Sequence, residues 1–277
     1  MQGIHLPLVV CFVAAIAIEL LAPVVLAVWI VRRGGSWRYV LLGAAVMLVF
    51  QGILRVPAML ALQTQEGFEE MLKASPAALW LFLLFAAFTA GLFEEGGRWL
   101  ALRFVVPPER RTHPTALAMG AGHGGIESIT IGLVALASFI AYLLSALSPQ
   151  TLSDAGVNVA DLQRQFSGQS WQPLLGAWER LAALAIQVGL SVMVLQAFLR
   201  GARWWWLALG AHTLVDFTAV GLLQLAAPAW GQTAAVFAVE VLVTLYAAAA
   251  VLFARAMREP AELPKRRLRR DAPSGAE

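Results

Sequence analysis

The sequence predicts an all-α protein, a bundle of about seven transmembrane helices, and three observations carry that expectation. Of the 277 residues, 60% are hydrophobic and 13% are charged, where soluble chains carry about 25% charged residues. That apolar excess is more than one soluble core can bury, and a lipid-facing surface is the simplest place for it. The apolar residues also gather into seven long runs, and Lys and Arg concentrate in alternate gaps between those runs.

Each run reaches the roughly 20 residues that a spanning helix needs. The first, 6–31, follows a start (MQGIHLPLVV) with no basic stretch, and it is too long for the apolar part of a cleavable leader. It reads as a retained helix. The next runs are 39–62, 77–104 and 114–147, the last long enough to be tilted or broken. The remaining three are 174–199, 204–224 and 231–255. The polar gap 148–172 has room for a short amphipathic helix. Ten Trp residues suit membrane–water boundaries, and Trp204, Trp205 and Trp206 read as an aromatic belt at the start of the sixth helix. The single cysteine, Cys11, allows no intrachain disulfide and implies no oxidising compartment.

Orientation follows from the basic residues. Alternate gaps hold Arg32, Arg33 and Arg38, then Arg103, Arg110 and Arg111, then Arg200 and Arg203, and the C-terminal segment adds seven more. The opposite gaps hold Lys73 and Arg164. Fifteen basic residues against two predict N-out/C-in and an odd number of helices. The expected organisation is one transmembrane domain over 1–258, followed by a basic, disordered tail over 259–277 that serves as a stop-transfer flank and can lie against anionic headgroups. The expected setting is a bacterial cytoplasmic membrane, with the lipid bilayer as partner and no nucleic acid.

A charged side chain at the centre of a bilayer costs roughly 2.5–3.5 kcal/mol on insertion scales, so those that persist often mark function. This chain concentrates them on three helices. The third carries Phe93-Glu94-Glu95-Gly96-Gly97-Arg98, with Arg98 three and four residues beyond the two carboxylates and so on a neighbouring face. One Glu can pair with Arg98 while the other stays free for chemistry. The fourth carries His123 and Glu127, and the sixth His212 and Asp216, each pair at i and i+4 on one face. Counted at about 1.5 Å per residue, all three groups lie roughly 12–14 Å from the arginine-rich side. Polar groups from three helices at one depth suit hydrolysis: a Glu activates water as general base, His assists or meets an oxyanion, and Glu127 and Asp216 orient the imidazoles. His123 and His212 with Glu127 or Asp216 can also hold a divalent metal such as zinc, while no HExxH is present.

At these residues the chain resembles a known superfamily. FEEGGR, then GHGGIE, then AHTLVDF resemble the ordered motifs of the CAAX-protease and bacteriocin-processing intramembrane proteases, and in form they are similar to the YhfC family of bacterial intramembrane proteases. The resemblance covers about 77–225. It implies an intramembrane endopeptidase, either metal-dependent or glutamic-type, acting on a membrane-embedded or lipid-modified protein or peptide. Carried onto this chain, Glu94 would activate water, Glu95 would pair with Arg98, His123 would assist, and His212 with Asp216 would steady the oxyanion or the imidazole. The chain departs from the CAAX pattern in that Arg98 comes one residue early, Asp216 stands in place of Asn, Met119 in place of Phe, and Glu127 is an added carboxylate.

Plainer readings of the same residues are an intramembrane ion pair for Glu94, Glu95 and Arg98 and interhelical hydrogen bonds for the two His. Rival functions are a transporter with a Glu/His/Asp proton relay and a haem protein with His123 and His212 as axial ligands. Glu19, Arg55 and Glu240 are expected to pair with one another structurally, Glu179 and Arg180 to be interfacial, and His5 and His113 to lie outside the core.

Overall fold

In lipid no water is available to the backbone, so a spanning segment must satisfy its own N–H and C=O groups, and an apolar run becomes a helix. The computed structural model describes residues 5–258, and every long apolar run in it is helical. Among the described residues seven helices are long and apolar enough to cross a membrane: Leu6–Arg32, Trp37–Gln63, Pro76–Phe104, His113–Leu147, Gln172–Leu199, Arg203–Trp230 and Gln232–Ala256. They are called the first to seventh spans below. No strand occurs among the described residues. The protein is therefore an integral, multi-pass membrane protein. The basic tail expected over 259–277 lies outside the described residues.

Local sequence sets the helix ends. Prolines open several helices where a missing N–H costs nothing, at Pro7, Pro76, Pro114 and Pro173. Ser75 caps the third span, its hydroxyl oxygen accepting from the Ala78 N–H at 3.2 Å. Gly201 joins the fifth and sixth spans at φ 112°, and Gly231 joins the sixth and seventh at φ 82°, conformations that other residues rarely adopt.

One expectation is narrowed and one about length changes. The fourth span is one unbroken helix of 35 residues. The sixth runs on past 224 to Trp230 and keeps Pro228 inside it. The second span changes winding midway. Met47–Arg55 is π-helical between α-helical Trp37–Val46 and Val56–Gln63. Pro57 follows that stretch, and its ring would collide with the carbonyl four residues back in a regular α turn; the wider turn relieves this. Short helices lie in the gaps, at Phe68–Ala74, Pro149–Asp154 and Val159–Gln165.

The fourth and fifth spans form the middle of the bundle. The first and second pack on the fourth, the seventh on the fifth, and the third on the sixth. Glycines let backbones nearly touch. A Cβ on Gly122 would lie 1.8 Å from the Val40 carbonyl oxygen, and one on Gly43 would lie 2.0 Å from that of Met119. Small residues at such crossings replace the hydrophobic drive that is missing between helices in lipid. Large apolar side chains such as Leu21, Leu81 and Leu245 face outward, as lipid contact allows.

Candidate functional site

Glu94 and Glu95 sit on the buried face of the third span, ten and nine residues from its arginine-rich end. Two adjacent carboxylates at that depth require cations and donors from elsewhere, and the neighbouring spans supply them. Arg98, 1% exposed, donates from Nη1 to Glu95 Oε1 and holds Nη2 at 3.5 Å from Glu94 Oε2. His123, fully buried on the fourth span, places Nε2 at 2.9 Å from Glu94 Oε2. His212 on the sixth span places Nδ1 at 2.7 Å from Glu95 Oε1. Beside an ionised carboxylate each of these ring nitrogens is the donor. That assignment leaves His212 Nε2 facing Glu94 Oε2 at 3.8 Å and Asp216 Oδ2 at 3.6 Å. Asp216 is the partly exposed edge of the group, with its side chain 38% accessible.

The structure thus brings together Glu94, Glu95, Arg98, His123 and His212, with Asp216 at their rim. The third and sixth spans can approach because Gly91 packs against Leu209 and the His212 Cβ, where an added Cβ would meet them at 3.1 and 3.3 Å.

Glu127 departs from expectation. Among the described residues no hydrogen bond joins it to His123. Its carboxylate accepts from Arg180 Nη1 at 2.7 Å and from Gln187 Nε2 at 3.0 Å. A guanidinium on the fifth span outcompetes the imidazole one turn away on its own helix. Arg180 is correspondingly tucked in, 14% exposed. Other expectations shift as well. Arg55 does not pair with Glu19 or Glu240 in any salt bridge among the described residues; it bonds the Ala86 carbonyl at 2.6 Å, Thr89 Oγ1 at 3.2 Å and Gln51 Oε1 at 3.3 Å. His113 is buried, its Nε2 2.8 Å from the Ala254 carbonyl oxygen. Of the three tryptophans, Trp206 is exposed, but Trp205 turns inward and donates to the Glu95 carbonyl at 3.2 Å.

Sequence reasoning passed over one residue that lies within the cluster. Gln187 on the fifth span contacts Arg98, Glu94 and Glu127. The signal was faint: an amide seven residues after Arg180, in a largely apolar run that also holds Ser191 and Gln196.

Seven spanning helices around a buried Glu/Arg/His cluster define a polytopic membrane protein with an intramembrane polar site. Comparison with known proteins narrows the class. The family model described as "YhfC intramembrane metalloprotease" matches residues 18–255, and the chain belongs to the YhfC family. A relative in Bacillus subtilis (strain 168), described as "Uncharacterized membrane protein YhfC", is 34% identical over 248 residues, covering 85% of this chain and 90% of the relative. No solved structure matches the chain.

The family description names a metal, and the donors here can be tested against it. Zinc in a catalytic site takes three protein ligands and leaves one position open. Among the described residues no group of three or more His, Cys, Asp or Glu side chains is arranged to hold a metal ion. His123, Glu94 and His212 come nearest. Yet Glu94 Oε2 already meets His123 Nε2 at 2.9 Å, Gln187 Nε2 at 3.1 Å and the Arg98 guanidinium at 3.5 Å. N–H donors and a fixed positive charge occupy the space where a cation would sit. Of the other expected ligands, Glu127 is held by Arg180 and Gln187, and Asp216 approaches His212 no closer than 3.6 Å. The residues as arranged do not fit a bound metal.

Proposed function

We propose that the protein is an intramembrane endopeptidase that hydrolyses a peptide bond in a membrane-embedded or lipid-modified protein or peptide. One observation carries this reading: a single carboxylate oxygen, Glu94 Oε2, has His123 Nε2 at 2.9 Å and His212 Nε2 at 3.8 Å, within helices that span lipid. The family description agrees with it in reaction class.

The roles follow from the contacts. Glu94 takes a proton from water as the water oxygen attacks the carbonyl carbon of the scissile bond. His123, hydrogen-bonded to the same carboxylate, holds it in place. His212 is oriented through Nδ1 by Glu95, which Arg98 neutralises, so its Nε2 is aimed at the space beside Glu94. A proton on that nitrogen meets the oxyanion of the tetrahedral intermediate, and low surrounding polarity strengthens the contact. Breaking the C–N bond returns the proton from Glu94 to the leaving nitrogen, giving a carboxylic acid and an amine. Asp216, at the rim, steadies His212. The cluster is accessible at Asp216, one turn beyond His212 on the sixth span, whose side chain is 38% exposed.

The test uses purified protein in lipid nanodiscs with a panel of synthetic membrane-spanning and lipid-modified peptides, with new termini read by mass spectrometry. The wild type should cleave at least one peptide, and Glu94→Ala, Glu95→Ala, His123→Ala and His212→Ala should each lose that cleavage. Cleavage retained in all four ends the proposal, and a Soret band in the purified protein would turn the reading toward haem.

A further inference from the structure

Gln187 is uncharged, yet it touches more of the site's charged groups than any other neutral side chain described above. It is 6% exposed. Its Oε1 accepts from Arg98 Nη2, while its Nε2 donates to Glu94 Oε2 at 3.1 Å and to Glu127 Oε2 at 3.0 Å. The amide is used at both ends: oxygen toward a guanidinium, hydrogens toward two carboxylates. Turning it over would aim an acceptor at two anions and a donor at a cation, so the network fixes its orientation.

We propose that Gln187 is a positioning residue of the site, whose amide sets the orientation of the Glu94 carboxylate and of the Arg98 guanidinium together. The proposal rests on the reading of Glu94 as the general base.

Three features support it. First, Glu94 Oε2 is shared between Gln187 and His123, so Gln187 fixes that oxygen from the fifth span while the imidazole lies on the fourth. Second, the bundle is shaped for this approach. A Cβ on Gly124 would lie 2.9 Å from the Gln187 Cβ, and one on Gly120 would lie 2.5 Å from the Val188 Cα. The glycines of Gly120-x-x-x-Gly124 therefore face Gln187 and its neighbour, which makes room for the fifth span beside the site. Third, the amide is itself braced. Glu127 accepts from it and from Arg180 Nη1 at 2.7 Å, and Arg180 Nη2 donates to Glu179 at 2.5 Å. The chain Glu179–Arg180–Glu127–Gln187–Glu94 resembles a proton path leading away from the site. Its members argue otherwise: an arginine keeps its proton in proteins, and an amide has no titrating group to pass one on. The chain is a strut.

The test compares Gln187→Met with Gln196→Met, using whichever peptide the wild type cleaves, in nanodiscs. Gln196 is equally buried on the same span, and its amide donates to the Val192 carbonyl one turn back instead of to the site. Gln187→Met should lower kcat by about 10- to 100-fold with KM within about twofold, because it disturbs preorganised electrostatics and not substrate binding. Gln196→Met should leave both within about twofold. Infrared difference spectra provide a second measurement that needs no activity. The carboxylate band that disappears in Glu94→Gln should move in Gln187→Met and stay in place in Gln196→Met. If Gln187→Met does not fold, Gln187→Glu carries the same test, keeping the acceptor for Arg98 and losing both donated bonds. An unmoved band, or a kcat loss matched by Gln196→Met, overturns the proposal, as does a KM that rises in step with the loss. A wild type that cleaves no peptide ends the peptidase reading, and the band alone then decides the role of Gln187.

Discussion

Charged groups inside this bundle are held in two different ways. Glu94 and Glu95 are met by Arg98, His123, His212 and Gln187 from four spans. Glu19 on the first span and Glu240 on the seventh are buried to a similar degree, at 3% and 7% exposed, yet among the described residues neither carboxylate makes any hydrogen bond, whereas Glu95 leaves only its Oε2 without one. The residue type and burial are the same, and the surroundings differ. An isolated buried acid can become neutral by taking up a proton, since burial disfavours its charge. A pair of adjacent acids ringed by donors has its charge met from several spans, and the proposed role of Glu94 rests on that arrangement. Burial alone therefore does not mark the site. Convergence of donors from several spans does.

The contrast can be broken by substitution, and the largest effect should come from Glu94, the proposed base. Glu94→Gln should lower peptide cleavage by at least about 10³-fold, as loss of a catalytic group does in other hydrolases. Glu19→Gln and Glu240→Gln should change it less than about twofold. Equal losses in the two sets would erase the distinction.

Arginines offer the next comparison, read as stability in denaturant titration. Arg98→Met strands two buried carboxylates and should cost about 3–5 kcal/mol. Arg55→Met frees a carbonyl, a hydroxyl and an amide, all neutral, and should cost about 1–3 kcal/mol. Glycines sharpen it at a lower level. Gly124→Ala presses on the Gln187 Cβ and should destabilise by about 1–3 kcal/mol. Gly210 has open space where its Cβ would be, so Gly210→Ala should be neutral or stabilising by about 0.5–1 kcal/mol.

The smallest effect belongs to a pair outside the spans. Lys73 Nζ lies 2.9 Å from Glu69 Oε2, both fully in solvent, and the ammonium holds the Glu69 carboxyl below the usual carboxylate range. A depressed carboxyl contributes stability above its unfolded value and loses it as pH falls through the folded one. Solvent screening shrinks that contribution, so Lys73→Ala should leave the thermal midpoint unchanged at pH 7 and at pH 4.

Much of this was readable from the sequence because the signals were energetic. Seven apolar runs of spanning length leave lipid as their surroundings, and six of the seven helices end within two residues of the expected boundary at both ends. The exception, the sixth, runs to Trp230 because Pro228 lies close enough to the helix end to be carried there. Glu94, Glu95, Arg98, His123 and His212 stood out because charge and imidazole are rare in lipid. Glu127 was assigned to its own helix neighbour because spacing along one helix says nothing about what a second helix brings. Arg180 outbid His123 for it from across the interface. Gln187 escaped notice, and Trp205 was assigned to an interfacial belt, because an amide or indole in a largely apolar run has no periodic signature and its contacts are a property of packing.

The π-wound stretch at Met47–Arg55 fixes the angular setting of everything after it in the second span. An α-helix advances about 100° per residue, so removing a single residue from this stretch would swing Arg55 roughly a quarter turn away from Ala86 and Thr89 and toward acyl chains. Side-chain exchanges there leave the setting intact, while a one-residue deletion does not. Away from Phe50, Gln51 and Arg55, this part of the protein should accept a broad range of amino acids and very little change in length.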